Sequence, residues 1–109
     1  MAGTKNVITS QLYEAHLIDI IEYGIETFGY IQARKYFSTI SHLVERLETD
    51  YYYHPECRYL VTKSRIYRNI ILDTHLIIYR ITQECIEVLD IVHGASSIGK
   101  ILRIRKIRL

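Results

Sequence analysis

Four side chains in the C-terminal half of the chain have the chemical character that acid–base catalysis requires. Arg65 and Arg80 are permanent cations, Tyr67 is a phenol, and His93 carries an imidazole. Phosphoryl-transfer chemistry needs a base, an acid and cations that stabilise the charge of the transition state. Each residue also has a structural interpretation. Arg80 can form a cross-strand ion pair with Glu87, and His93 can cap a strand end with a hydrogen bond.

The positions of these residues depend on three strands that the sequence predicts between residues 65 and 97. Short runs rich in Ile, Val, Leu and Tyr are separated by two turn candidates, Asp73-Thr74 and Gln83-Glu84. Apolar runs of this length, bounded by turn residues, are typical of antiparallel strands. The segment therefore predicts a three-stranded antiparallel meander.

The two turns predict which side chains share a face of this sheet. Side chains alternate between faces with a period of two, so pairing Leu72 with His75 and Thr82 with Cys85 assigns every strand residue to one face. The more apolar face, which should bury the helices, is predicted to hold Ile66, Arg68, Ile70, Leu72, Ile77, Tyr79, Ile81, Ile86, Val88, Asp90 and Val92. The opposite, outer face is predicted to hold Arg65, Tyr67, Asn69, Ile71, Leu76, Ile78, Arg80, Glu87, Leu89, Ile91 and His93. The outer face is expected to be only partly covered.

The N-terminal half predicts a short strand, at residues 5–9, and a helical hairpin. Ser10 is a plausible N-cap and Gly29 a plausible C-cap of the first helix. A second helix is expected from about Gln32 to Leu47. The apolar stripes of the two helices are Leu12, Leu17, Ile18, Ile20, Ile21, Ile25 and Phe28, and then Ala33, Tyr36, Phe37, Ile40, Leu43, Val44 and Leu47. The predicted fold class is α+β, in the order β-α-α-β-β-β, with an antiparallel helical hairpin packed on one face of a small antiparallel sheet.

Charge is divided unevenly along the 109 residues. Residues 1–56 carry four Lys/Arg and eight Asp/Glu, a net of −4, and residues 57–109 carry ten and four, a net of +6. We expect a domain at residues 1–97 and a basic C-terminal tail at residues 98–109. The tail could add an edge strand, form a short amphipathic helix or stay free until it is bound. It could contact nucleic acid, a membrane surface or an acidic partner.

Other chemistry has little support in the sequence. Cys57 and Cys85 share no metal-ligand spacing, and two lone cysteines are typical of a reducing compartment. No apolar run approaches the ~20 residues that span a bilayer, and the N-terminal MAGTKNVITS has no signal-peptide core. We therefore expect a cytoplasmic protein with no metal, no cofactor and no membrane partner.

The sheet sequence resembles that of a known family. HLIIYRI followed by IEVLDIVHGA is similar to the sheet of the RelE/ParE toxins, the toxic halves of type II toxin–antitoxin pairs, and the His-Gly step is closest to the ParE-like branch. The resemblance covers about residues 5–97. It implies a growth-inhibiting toxin of the plasmid-stabilisation type, silenced by a cognate acidic antitoxin that folds on contact. A homodimer or a toxin–antitoxin heterotetramer is compatible with this.

The resemblance implies competing mechanisms. A ParE-like toxin binds and poisons DNA gyrase and performs no chemistry. A RelE-like toxin is a ribosome-dependent mRNA interferase, for which Arg65, Tyr67, Arg80 and His93 are the catalytic candidates. A degenerate toxin that keeps only antitoxin binding is a third reading. The residues expected to bind the antitoxin or the target are Ile78, Leu89 and Ile91 on the outer face and Lys100, Arg103, Arg105, Lys106 and Arg108 in the tail.

Overall fold

The α+β class is confirmed by a computed structural model, which describes residues 3–109. Met1 and Ala2, the start of the segment in which no signal peptide was expected, lie outside it. The order of elements is β1 (Asn6–Thr9), α1 (Gln11–Phe28), α2 (Tyr30–Glu45), α3 (Leu47–Asp50), β2 (Tyr67–Ile71), β3 (His75–Ile81), β4 (Cys85–His93) and α4 (Ile98–Arg103), followed by a 3₁₀ turn, Ile104–Lys106. In this range no helix is both long and apolar enough to cross a membrane. The tail adopts the second of its three expected forms, a short amphipathic helix.

The hairpin of α1 and α2 begins and turns where the sequence predicts. The Ser10 side chain accepts a hydrogen bond from the main-chain N–H of Tyr13, 2.9 Å away, which caps the start of α1. Gly29 alone separates the two helices, and its φ of +91° is a conformation that side chains with a Cβ rarely adopt. A one-residue connection leaves α2 antiparallel to α1.

The sheet has four strands in the order β1-β4-β3-β2. The two predicted turns are confirmed, since the N–H of Leu72 donates to the carbonyl of His75 and that of Thr82 to the carbonyl of Cys85. β1 pairs with β4 in parallel, so the sheet is mixed, with an antiparallel meander and one parallel edge strand.

A β-bulge interrupts the pairing of β3 with β4. Tyr79 lies opposite Val88, as predicted, but Ile78 lies opposite Asp90. Leu89 is therefore an extra residue on β4. Side chains beyond an inserted residue lie on the face opposite to the one that a strict alternation predicts.

The bulge overturns part of the predicted face assignment. Ile91 was predicted on the outer face but packs in the cluster beneath the helices. Val92 was predicted on the inner face but packs in the cluster on the outer face. His93 follows the same shift, and its ring lies 5.8 Å from that of His75. Ile66, predicted on the inner face, also packs on the outer one.

Both faces of the sheet are covered. The inner cluster combines the hairpin, α3 and the crossover with the sheet: Tyr13, Ile40, Val44, Leu47, Tyr51, Ile70, Ile77, Tyr79, Ile81, Ile86, Val88 and Ile91. The outer cluster contains Cys57, Leu60, Tyr67, Ile78, Leu89, Val92, Ile101 and Ile104. The outer face is thus a second core rather than a partly open surface, which corrects the expectation from the sequence.

Candidate functional site

Two of the four catalytic candidates lie together, but they are buried. The guanidinium of Arg80 donates to the Tyr67 hydroxyl at 3.3 Å and to Oε1 of Glu87 at 2.6 Å, so the expected ion pair is present. Arg80 is 9% exposed and Tyr67 is 6% exposed. Burial by itself would lower the pKa of Arg80, but its hydrogen bonds to Tyr67 and Glu87 raise that pKa above its ordinary value. The cation is committed to neighbours within the chain.

The other two candidates lie elsewhere. Arg65 is exposed in the segment before β2 and has a left-handed backbone, with φ of 55°. His93 ends β4 next to His75, which lies five residues from Arg80 on β3, about 16 Å along the strand. The structure therefore does not bring Arg65, Tyr67, Arg80 and His93 into one site.

Arg80 instead holds the C-terminal tail against the sheet. Its guanidinium donates to the carbonyl oxygen of Arg105 at 3.5 Å and to that of Ile107 at 3.0 Å. Two main-chain acceptors near the end of the chain are thereby fixed to an interior strand. The sequence contained no signal for this contact, because the acceptors are carbonyl groups that every residue carries.

Two segments far apart in sequence cover the outer face, and we call them the cationic cover: residues 57–66 and residues 98–109. Leu60, Ile101 and Ile104 are almost fully buried in the outer cluster. Beneath them Ile78 and Leu89 have no exposed surface. A partner can reach these two predicted binding residues only if the cover moves. Ile91, on the opposite face, is not part of this surface at all.

The exposed side of the cover carries positive charge only. Its Lys and Arg side chains are all exposed: Arg58, Lys63, Arg65, Lys100, Arg103, Arg105, Lys106 and Arg108. The two segments contain no Asp or Glu, whereas the remainder of the chain has six Lys/Arg (14 − 8) and twelve Asp/Glu, a net of −6. Among the described residues, none of the eight takes part in an ion pair. All five predicted tail cations therefore face solvent.

The helical hairpin forms a second, contrasting surface. α1 contains four acidic residues and no Lys or Arg. The large apolar side chains that the hairpin exposes are Leu12, Ile18, Tyr23, Ile25, Phe28, Tyr30, Ile31 and Phe37. Leu12, Ile18, Ile25, Phe28 and Phe37 were predicted to belong to the buried stripes, and the structure corrects this. Large exposed apolar side chains in this number make the hairpin a candidate surface for protein–protein contact.

A polar cluster at one end of the sheet was missed by the sequence analysis. The Tyr36 hydroxyl lies 2.7 Å from Nδ1 of His75, and the N–H of Ala95 donates to Nδ1 of His93 at 3.1 Å. Burial, followed by the proximity of His93, lowers the pKa of His75. Tyr36 was assigned only a packing role, and a histidine at a strand start carries no distinctive pattern.

The buried carboxylate of Asp90 is explained by two local contacts. Its Oδ1 lies 2.6 Å from Nδ1 of His16 on α1 and accepts a hydrogen bond from the N–H of Ile91 at 2.8 Å. The sequence signal was an Asp within the apolar run VLDIV. The contact with α1 shows that this Asp serves to join the hairpin to the bulged strand.

Comparison with known proteins agrees with this architecture. The family model described as the ParE toxin of the type II toxin–antitoxin system parDE matches residues 7–98. The chain belongs to the ParE toxin family. ParE toxins are components of type II systems, so the resemblance seen in the sheet sequence is confirmed at the level of the family.

A solved structure also shares the fold of this ParE-family chain. A chain of the chromosomal ParDE TA system from P. aeruginosa superposes with a TM-score of 0.70 at 17% sequence identity. The match covers 84% of this chain and 98% of that one. At that identity the likeness concerns the fold alone. None of the curated proteins matches the sequence.

Proposed function

We propose that this ParE-family chain is a growth-inhibiting toxin of the cytoplasm that poisons DNA gyrase by binding and is silenced by a cognate acidic antitoxin. The observation that carries the choice of binding over catalysis is the dispersal of the four catalytic candidates. Arg80 and Tyr67 are buried and paired, and His93 lies on the helix side of the sheet. General acid–base catalysis requires its groups within hydrogen-bonding reach of one substrate.

An acidic antitoxin fits the charge distribution of the chain. The cationic cover presents eight exposed cations without acidic neighbours in its own segments. An acidic segment that folds on contact gains from this charge and also needs apolar surface to bury. Ile78 and Leu89 would supply that surface if the antitoxin displaced residues 98–109. In this proposal the tail cations attract the antitoxin, and the outer cluster anchors it.

Contact with gyrase is assigned to the hairpin surface. Its exposed side chains include Ile25, Phe28 and Ile31, which are large apolar residues of the kind that protein interfaces bury. They lie on the helices, whereas the cover lies on the other side of the sheet. Gyrase and the antitoxin would therefore bind different faces of the toxin.

The test has two parts, a DNA-breakage assay with purified components and an analysis of mRNA from cells in which the chain is induced without antitoxin. Purified gyrase and supercoiled plasmid incubated with the chain should accumulate protein-linked double-strand breaks, and mRNA isolated from induced cells should remain intact. A matched pair of variants locates the contact: Phe28→Ser on the hairpin should reduce DNA breakage, and Tyr53→Ser, at a still more exposed aromatic in the crossover, should not. Ribosome-dependent mRNA cleavage without DNA breaks would refute the proposal.

A further inference from the structure

The cationic cover combines buried apolar side chains with exposed cations. While the cover is closed, an antitoxin cannot reach those buried side chains, so antitoxin binding does not explain the charge of the closed surface. Its inner apolar side chains, Leu60, Ile101 and Ile104, are committed to the outer cluster. Its outer side offers eight cations from two segments that are far apart in sequence, together with four exposed apolar side chains, Val61, Ile98, Leu102 and Leu109. A ligand that engages all eight cations must itself be a dense array of negative charge.

We propose that the closed cationic cover binds the phosphate backbone of duplex DNA, independently of base sequence. Duplex DNA carries about one negative charge per 1.7 Å of helix axis, which makes it the polyanion best matched to clustered Lys and Arg. The eight cations have no carboxylate partner among the described residues, so binding DNA breaks no ion pair. The rest of the chain carries a net charge of −6. One of its carboxylates, that of Glu56, lies against the cover, where it accepts a hydrogen bond from the N–H of Thr62 at 3.2 Å.

The tyrosine content of the cover favours a duplex over a single strand. Proteins that bind single strands offer exposed aromatic rings on which successive bases stack. The one tyrosine of the cover, Tyr59, is half-buried, and the guanidinium of Arg58 lies 5.5 Å from the centre of its ring. The ring is thus already occupied by a cation–π contact. None of the apolar side chains that the cover exposes is aromatic. Its exposed Lys and Arg side chains can contact phosphates, and such contacts carry no sequence information.

Two features of the fold keep this array in place. Arg80 fixes the carbonyl groups of Arg105 and Ile107, and this holds the tail cations over the sheet. Arg65, in the other segment, has a left-handed backbone that is costly for a residue with a Cβ, and its carbonyl accepts a hydrogen bond from Nε of Arg68 at 3.2 Å. The cover therefore presents its charges without having to fold on contact.

DNA binding by the cover would assist the poisoning of gyrase in the proposed function, but it does not depend on that function. A toxin that poisons gyrase meets the enzyme on DNA, so a DNA-binding face opposite the hairpin surface would allow both to be engaged together. An antitoxin that opened the cover would remove this face. DNA binding by the purified chain can be measured with neither gyrase nor antitoxin present, so its failure would leave the proposed function intact.

The experiment is fluorescence anisotropy with a labelled DNA duplex and the full-length chain, between about 50 and 200 mM salt. The loop variant is Lys63→Gln with Arg65→Asn, since Asn tolerates a left-handed backbone. The tail variant is Arg103→Gln, Arg105→Gln and Lys106→Gln. The control, Arg34→Gln with Lys35→Gln on the exposed side of α2, removes the same charge as the loop variant from another surface.

Affinity should fall steeply with salt for the unaltered chain. The slope of log K against log salt should decrease by about 0.9 for each phosphate contact removed, hence by about 2 in the loop variant and by 2 to 3 in the tail variant. The control variant should keep the original slope, and a change of base sequence should leave K unchanged. Circular dichroism would verify that each variant is folded.

Four results would overturn the proposal. The first is that the unaltered chain binds no duplex at low salt. The second is that the control variant loses as much affinity as the loop variant, which would mean that net charge alone is responsible. The third is that polyglutamate of equal charge competes as well as DNA, which would assign the cover to an acidic protein. The fourth is that single-stranded RNA binds more tightly than the duplex, which would make RNA the ligand.

Discussion

The guanidinium of Arg80, on an interior strand, donates a hydrogen bond to the main-chain carbonyl oxygen of Ile107, 3.0 Å away. The same side chain pairs with Glu87, which lies directly opposite it on β4. One residue thus joins two strands of the sheet to the last turn of the chain. This contact fixes the end of the tail next to the outer cluster.

The first prediction concerns that contact. Arg80→Met should lower the free energy of unfolding by about 3 kcal/mol, since it leaves the largely buried Glu87 carboxylate without its partner. It should also speed hydrogen exchange of the amides in residues 98–109. Urea unfolding and native-state exchange measure the two effects. Glu87→Gln is the control: it removes the ion pair but keeps the Arg80–Ile107 bond, so the tail amides should stay protected. Unchanged tail protection in Arg80→Met would contradict the role given to Arg80.

The second prediction tests whether both faces are buried. Ile77 faces the inner cluster and Ile78 the outer one, and neither side chain is exposed. Each Ile→Ala substitution should therefore cost a similar amount, ~2–5 kcal/mol, from lost burial and the cavity left behind. Urea denaturation of the two variants checks this.

The control for this prediction is a chain shortened after Ser97. Removing residues 98–109 uncovers Ile78 but not Ile77, so Ile78→Ala should cost distinctly less in the shortened chain and Ile77→Ala the same. An unchanged cost at Ile78 would show that the tail does not bury this residue.

The third prediction concerns acid stability. Burial lowers the pKa of both His75 and His54. The folded state therefore favours the neutral imidazoles, and the stability that this contributes is present above the unfolded pKa of about 6.5 and is lost as pH falls below it. The free energy of unfolding should decrease from pH 7 to pH 5, and His75→Gln should make that decrease shallower. His42→Gln, at an exposed position on α2, is the matched histidine substitution with which the His75 variant is compared. A steeper profile in His75→Gln would contradict the assignment.

The fourth prediction separates binding from catalysis. His93→Gln should leave growth inhibition and gyrase poisoning nearly unchanged, because no proton transfer depends on this imidazole in the proposed function. If His93 were a catalytic acid or base, the same change would reduce activity by about 10²–10⁴-fold. Viability after induction, with immunoblots to equalise expression, measures the outcome. Loss of toxicity in a folded variant that still binds antitoxin would refute the binding mechanism.

The fifth prediction concerns the tail and the antitoxin. A chain shortened after Ser97 loses five exposed cations, so the association rate of its complex with an acidic antitoxin should depend less on salt. Surface plasmon resonance at several salt concentrations measures this dependence. A salt dependence that does not change on truncation would show that the tail cations take no part in recognition.

Much of the secondary structure was predictable because its causes are local. Ser10 and Gly29 end α1 through their own hydrogen-bonding and backbone properties, and the two-residue turns set the pairing of Ile70 with Ile77. The family could also be inferred, since the apolar strand pattern and the His-Gly step are read directly from the chain. The match over residues 7–98 confirmed that inference.

The candidate site was not predictable in the same way. The bulge at Leu89 reversed the faces of Ile91 and His93, and one inserted residue has no signature in a continuous apolar strand. For residues 98–109 a short amphipathic helix was one of three expected forms, and the sequence did not indicate which surface it would cover.

The sequence by itself determined the first strand, the helical hairpin and the three-stranded meander, their order, most of the strand register and the family. Tertiary structure alone decided that residues 57–66 and 98–109 meet on one face, that Ile78 and Leu89 are buried there, and that the catalytic candidates are dispersed. The physical reason is the distance along the chain over which each interaction acts. Caps, turns and periodicity act between near neighbours, whereas the cover forms because two distant apolar stripes bury the same sheet surface and leave their cations facing the solvent.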